Sequence, residues 1–223
     1  MSPWSYSSLK KFRTCPKQYA EVKVYKNFKE PPFTEATLYG TNFHEAAEHY
    51  VRGTAPLPEA FNYVKQYLDT LKAIPGEKLC EHRMGLTKAL EPCAFDAADV
   101  WCRGVVDLLI VNEEKGVARV IDYKSGKSAK YADTAQLELM ALMVFKHFPK
   151  VRKVKGGLLF VVANHFRLAD YEREQEKVYW RQWMQDLKRL EIAMNTGVWN
   201  PNPSGLCNRH CVVTTCPHNG VNK

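Results

Sequence analysis

The chain of 223 residues is 45% hydrophobic and 25% charged, values of a globular protein that exclude a largely disordered one. No apolar run approaches the roughly 18 residues of a spanning helix and no apolar stretch near the N-terminus resembles an export signal, so a cytoplasmic protein is expected. The formal net charge of +8 favours a polyanionic partner, and seven cysteines, an odd number, point to metal or cluster ligation rather than a disulfide framework.

Residues 5–19 place Leu9, Phe12 and Cys15 at helical spacing behind serines, which predicts a Ser-capped helix perturbed by Pro16. The Glu-Pro-Pro-Phe stretch at 30–33 is a break. Residues 36–51 carry Leu38, Phe43, Ala46, Ala47 and Tyr50 near one helical face, and a second helix is expected over 59–71, ending at Pro75-Gly76. The period then changes. Weak strands are predicted at 79–86 and 94–100, and strong ones at 105–111 and 117–124, joined by a polar Gly-bearing turn as an antiparallel hairpin. An apolar helix follows at 134–148, a buried strand at 157–163 and a long polar helix at 171–195; after Trp199 regular structure is not expected. The order implies a single domain with an α/β core over 76–196, a helical N-terminal part over 1–75 and a Cys-rich tail over 197–223.

Asp107 and Asp122 each sit inside an apolar, β-branched strand, where an unpaired carboxylate is costly. On paired strands two such charges repel unless a cation lies between them, and hard oxygen ligands suit Mg2+ or Mn2+. Lys124 follows Asp122 by two and leaves the same strand face. A carboxylate–metal pair beside an ammonium is suited to phosphodiester hydrolysis.

The run Gly104-Val105-Val106-Asp107, then Ile121-Asp122-Tyr123-Lys124-Ser125-Gly126-Lys127, then Gln136 resembles the RecB-like branch of the PD-(D/E)xK nuclease superfamily, in spacing as well as in residue type. Upstream, Gly40 to His44 resembles that family's G-x-x-x-H helix. The resemblance implies a restriction-endonuclease-like core, a mixed central sheet flanked by helices. It also implies His44, Asp107, Asp122 and the Tyr123 carbonyl as metal ligands, with Lys124 and Gln136 in the catalytic constellation. Glu81 resembles an acidic residue that some members carry before the hairpin. Met140 stands where the family's helix usually has Tyr, a departure that touches substrate contacts more than chemistry.

Cys207, Cys211 and Cys216 lie within ten residues of an irregular tail, and Cys15 is the natural fourth ligand. AddB-type and CRISPR-associated RecB-like exonucleases are similar in plan, and that similarity implies a 4Fe-4S cluster held by these four. Zinc, with His210 or His218 nearby, and free thiols remain alternatives. Cys80, Cys93 and Cys102 read as small core residues. Lys124, Lys127 and Lys130, then Lys10, Lys11 and Arg13, then a run from Lys146 to Lys155, are candidate contacts to a nucleic-acid backbone, with Trp4 or Tyr131 as candidate stacking residues. The expected activity is a metal-dependent deoxyribonuclease. Exonuclease action on single-stranded DNA or duplex ends, in replication, recombination or phage DNA metabolism, comes first; a structure-specific endonuclease and a non-catalytic nucleic-acid-binding module of the same fold are the alternatives.

Overall fold

The computed structural model describes residues 3–30, 34–126 and 133–222. Its elements, in chain order, are α1 (Tyr6–Thr14), α2 (Pro16–Tyr19), α3 (Glu35–Arg52), α4 (Lys65–Ala73), β1 (Glu77–Thr87), β2 (Pro92–Cys93), β3 (Val100–Asn112), β4 (Val117–Lys124), α5 (Ala135–His147), β5 (Lys153–Phe160), β6 (His165–Glu172) and α6 (Glu176–Thr196). They divide into two units. One comprises residues 34–180 with the extreme N-terminus; the other joins residues 4–33 to residues 181–223.

The first unit is a six-stranded mixed sheet of order β2-β1-β3-β4-β5-β6. Only β4 and β5 run parallel, and α5 provides the crossover between them. The predicted β3–β4 hairpin is present and antiparallel. Helices α3 and α4 cover one face, burying Phe43, Ala47, Leu68 and Leu71 against Leu108, Ile110, Ile121 and Leu159. Helix α5 is buried almost all round, from Leu137 to Phe145, as its uniform hydrophobicity requires. Two methionines of α5 explain the glycine of the G-x-x-D run. A Cβ on Gly104 would lie 2.7 Å from Met143 Sδ and 2.8 Å from Met140 Sδ. Gly104 is thus a packing residue, and Met140 fills space beside β3. The restriction-endonuclease-like α/β architecture expected from the sequence is the one observed.

In the second unit Ser5 caps α1 through a reciprocal pair with Ser8, as the serines predicted. Leu9 and Phe12 are buried, and Phe12 packs edge-to-face on Tyr19 and Trp199, whose own rings are tilted against each other. The irregular tail is held by side-chain amides. Asn219 donates to the Cys211 and Val213 carbonyls, and Asn222 to those of Thr214 and Cys216.

Several boundaries differ from the sequence reading. The helix expected over 5–19 breaks at Cys15, whose extended backbone precedes Pro16, and a π-helical turn continues it to Val24. The segment expected as a strand at 94–100 is mostly turns, because strand pairing beside β1 ends at Cys93. Strand β5 starts at Lys153 rather than 157 and ends at Phe160. An unforeseen edge strand, β6, occupies 165–172, so the last helix begins at Glu176 rather than 171. With only Tyr171 buried and its neighbours largely exposed, β6 lacks the apolar alternation that marks a half-buried strand. The break at 31–33 lies outside the described residues. No helix among the described residues is long and apolar enough to cross a membrane.

Candidate metal centre and cysteine site

The centre forms where two strands change face together. Glu81 on β1 stands opposite Asp107 on β3, with Cys80↔Leu108 and His82↔Val106 paired on either side. Glu81 has φ +48°, a left-handed conformation that a non-glycine residue in a strand adopts at a cost. Beyond the pair, Cys80, Leu108 and Ile110 pack under α3, whereas Gly104 points at α5. The β3–β4 ladder also stops here, at Leu108↔Ile121. Asp107 Oδ2 accepts the Tyr123 N–H at 2.6 Å, a side-chain substitute for the lost ladder bond. Both carboxylates therefore emerge from a local break in the sheet.

Helix α3 supplies His44. Gly40, one turn earlier, lets the helix approach the end of β4: a Cβ there would meet Ser125 Oγ at 3.0 Å. The His44 ring packs edge-on against Phe43 and Tyr123. Its Nδ1 lies 3.5 Å from Asp107 Oδ1 and 3.9 Å from Glu81 Oε1, and its Nε2 is 3.2 Å from the Tyr123 carbonyl oxygen. Ligand atoms of His44, Glu81 and Asp107 all lie within 4.8 Å of one another, the one such trio among the described residues. Of the expected ligands, then, His44 and Asp107 meet, with Glu81 joining them at Nδ1; the Tyr123 carbonyl lies at the other ring nitrogen, and Asp122 is not in the trio.

Asp122 is engaged differently. Gln136 Nε2 donates to Asp122 Oδ1 at 2.5 Å, and Lys124 Nζ donates to Gln136 Oε1 at 2.8 Å. Lys124 Nζ also lies 2.5 Å from Asp122 Oδ2 as an ion pair, though outside hydrogen-bond angles, so that buried oxygen has no directed donor. Asp122, Lys124 and Gln136 form one closed network beside the trio.

The electrostatics favour a cation. Burial, then the neighbouring Asp122 charge, raises Asp107 well above the usual carboxylate range. Burial also raises Asp122, against the opposing pull of Lys124, and raises Glu81, with Glu48 adding to it. Burial lowers His44, which keeps its imidazole neutral. Partly desolvated carboxylates beside a neutral imidazole and a carbonyl are a donor set that fits a hard divalent ion. A cavity of about 630 Å³ opens over His44 and Glu81, lined also by Thr41, Glu45, Glu48 and Ser125.

Cys15, Cys207, Cys211 and Cys216 line a second, small cavity together with His218, whereas His210 is exposed and not in its wall. Backbone N–H groups of Asn202 and Ser204 point to Cys15 Sγ (3.5 Å) and Cys207 Sγ (3.4 Å). No three of these thiols lie within 4.8 Å of one another. Cys80 and Cys102 are buried as expected; Cys93 is only half-buried.

Two expectations about substrate contacts change. Trp4 is 2% exposed and stacks on Trp183, so it offers no face to a base. Much of the Lys146–Lys155 run is neutralised within the fold: Lys146 pairs with Glu176, Lys150 with Glu113, and Lys153 with Asp170 and Glu172. Lys11 and Arg13 pair with Glu30 and Asp186. Lys127, Lys130 and Tyr131 lie outside the described residues. The sequence reading missed the left-handed geometry of Glu81, which nothing local to its tripeptide signals.

A family profile described as the PD-(D/E)XK nuclease superfamily matches residues 3–218. No curated protein matches the chain. Among solved structures, SSO0001 superposes with a TM-score of 0.50 at 13% identity, covering 98% of this chain and 88% of that one. A protein from Eubacterium rectale titled "Putative exonuclease" gives 0.53 at 14% identity, covering 97% and 88%. At such identities these likenesses speak for the fold, and the profile match across nearly the whole length carries the assignment: the chain belongs to the PD-(D/E)XK nuclease superfamily.

Proposed function

We propose that the protein is a Mg2+- or Mn2+-dependent deoxyribonuclease of the RecB-like type, acting as an exonuclease on single-stranded DNA or duplex ends. The observation that carries this reading is the convergence of His44, Glu81 and Asp107 beside the Asp122–Lys124–Gln136 network. His44, Asp107, Asp122 and the Tyr123 carbonyl would hold the cation, with Glu81 as a further carboxylate. A cation there supplies Lewis-acid polarisation of the scissile phosphate and acidifies water. Lys124 brings a positive charge to where negative charge grows in the transition state. Gln136 fixes that ammonium and the Asp122 carboxylate relative to each other, because one amide bonds to both. Glu45 and Glu48 line the cavity, so a phosphodiester enters only with its charge compensated.

Cys15, Cys207, Cys211 and Cys216 would hold a 4Fe-4S cluster with a structural role. What supports this reading is that the four thiols line one cavity. The two N–H···S contacts are the kind of outer-shell support such thiolates use.

The test is digestion of end-labelled linear and covalently closed DNA, single- and double-stranded, with Mg2+, Mn2+ or EDTA. The reading requires metal-dependent loss of linear substrates with circles left intact. Cleaved circles would make the enzyme an endonuclease, and degradation unaffected by EDTA would remove the metal centre.

A further inference from the structure

We infer that the sheet face running from the metal centre along β1 and β3, through Arg83 and Arg103 with Phe95, is a track for single-stranded DNA; this rests on reading that centre as a nuclease site. Arg83 pairs with Val105 and Gly85 with Arg103, so strand alternation sets Arg83, Trp101, Arg103 and Val105 on one face. The opposite face, with Met84, Leu86, Cys102 and Gly104, is fully buried, and Gly104 abuts α5. The first face is open. Arg83 is exposed, and Trp101, Arg103 and Val105 are half-buried.

Gly85 explains how an aromatic ring comes to lie on it. A Cβ there would meet the Ala94 carbonyl oxygen at 2.6 Å and the Cys93 oxygen at 3.0 Å, so the chain after β2 folds directly over this notch. Phe95 is thereby set against both arginines, with guanidinium carbons 5.4 Å (Arg83) and 5.2 Å (Arg103) from its ring centroid. A ring orients a guanidinium without neutralising it. Neither arginine forms an ion pair among the described residues, unlike the lysines around β5. Arg103 Nε is buried and has no hydrogen-bond acceptor among the described residues.

The face is continuous with the centre. Asp107 follows Arg103 by four residues, about 13 Å along an extended strand, the span of a few nucleotides. Two cations gathered on one ring match a single phosphate backbone, and a half-exposed Phe95 offers stacking only to an unpaired base. The occupant is therefore one strand, held as it enters or leaves the metal centre.

The test measures anisotropy of a labelled oligothymidylate and of a blunt duplex in EDTA over a KCl series, with thermal unfolding of each variant. Arg83→Ala should weaken single-strand binding about five- to tenfold and reduce the magnitude of the salt slope by about 0.7, whereas Arg83→Lys should keep the slope. Phe95→Leu, which retains an apolar side chain in the same place, should weaken it about tenfold at unchanged slope. Duplex binding should change less in each case. Unchanged affinity and slope in folded Arg83→Ala, or equal losses for duplex and single strand, would overturn the track. The result is separable from the nuclease reading. A wild type that binds DNA but cleaves none with Mn2+ would refute the centre, while cleaving wild type with unaffected variants would refute the track alone.

Discussion

Lys124 has two partners that fix its ammonium, Gln136 and Asp122, and both lie within 2.8 Å. Its charge is needed most where the phosphate is most negative, so Lys124→Ala should lower kcat about a hundredfold or more with a smaller change in KM. Steady-state kinetics on a labelled oligonucleotide would show this; a raised KM at constant kcat would make Lys124 a backbone contact. The pH dependence follows from the same residues. In the metal-free protein the raised Asp107 and Asp122 favour folding when protonated, so their contribution is present in acid and lost as pH rises through their folded-state values. His44 is lowered, so its contribution is present above its ordinary range and lost as pH falls. A cation takes the carboxylates ionised and the imidazole neutral, so binding releases protons and tightens as pH rises. The thermal shift produced by Mn2+ should grow between about pH 5.5 and pH 7.5. A shift that shrinks over that range would contradict the ligand assignment. Asp107 and Asp122 were legible as carboxylates at odds with apolar surroundings, Lys124 by its spacing from Asp122, and His44 and Gln136 through the family resemblance. Glu81 was legible only through the family resemblance, and the two arginines were not legible. The place of Glu81 in the centre depends on a backbone conformation opposite Asp107, and the arginines gain meaning only once the chain at Cys93–Ala94 folds over Gly85 and Phe95 lies against them.

At the scale of elements, the centre exists because β1 and β3 change face at the same point. Strong strands, β3 and β4, and the apolar α5 could be read from hydrophobic period alone. The face change could not, since it lies inside the run 105–111, which reads as a single uninterrupted strand. Edge strand β6 was also invisible, because its residues face water on most sides. Gly104 offers a direct check on the packing account. Gly104→Ala should cost on the order of 1–3 kcal/mol in chemical denaturation, since Met140 and Met143 must shift within a filled interior. Lost cleavage at undiminished stability would instead give Gly104 a role at the centre.

For the whole molecule, Cys15 and the tail cysteines belong to one unit although 191 residues separate Cys15 from Cys207 in number, and their thiols face one cavity. Anaerobically purified protein should be brown, with broad absorbance near about 400 nm from thiolate-ligated iron. Cys15→Ser should deplete iron as fully as Cys211→Ser, and both should unfold at lower temperature, because metal binding is coupled to folding. Colourless protein with one equivalent of zinc would assign the site to zinc, with His218, which lines the cavity, available to it. The second unit would then be stabilised by metal while the chemistry resides in the first. That division makes cleavage by the first unit's carboxylates the central claim. Its most direct test is Mn2+-dependent nucleotide release from linear DNA by wild type, Asp107→Asn and Asp122→Asn, with DNA affinity measured in EDTA. Both variants should lose cleavage by about a hundredfold or more while binding DNA within about threefold of wild type; full cleavage by either one would show that the carboxylates at the sheet break are not the catalytic centre.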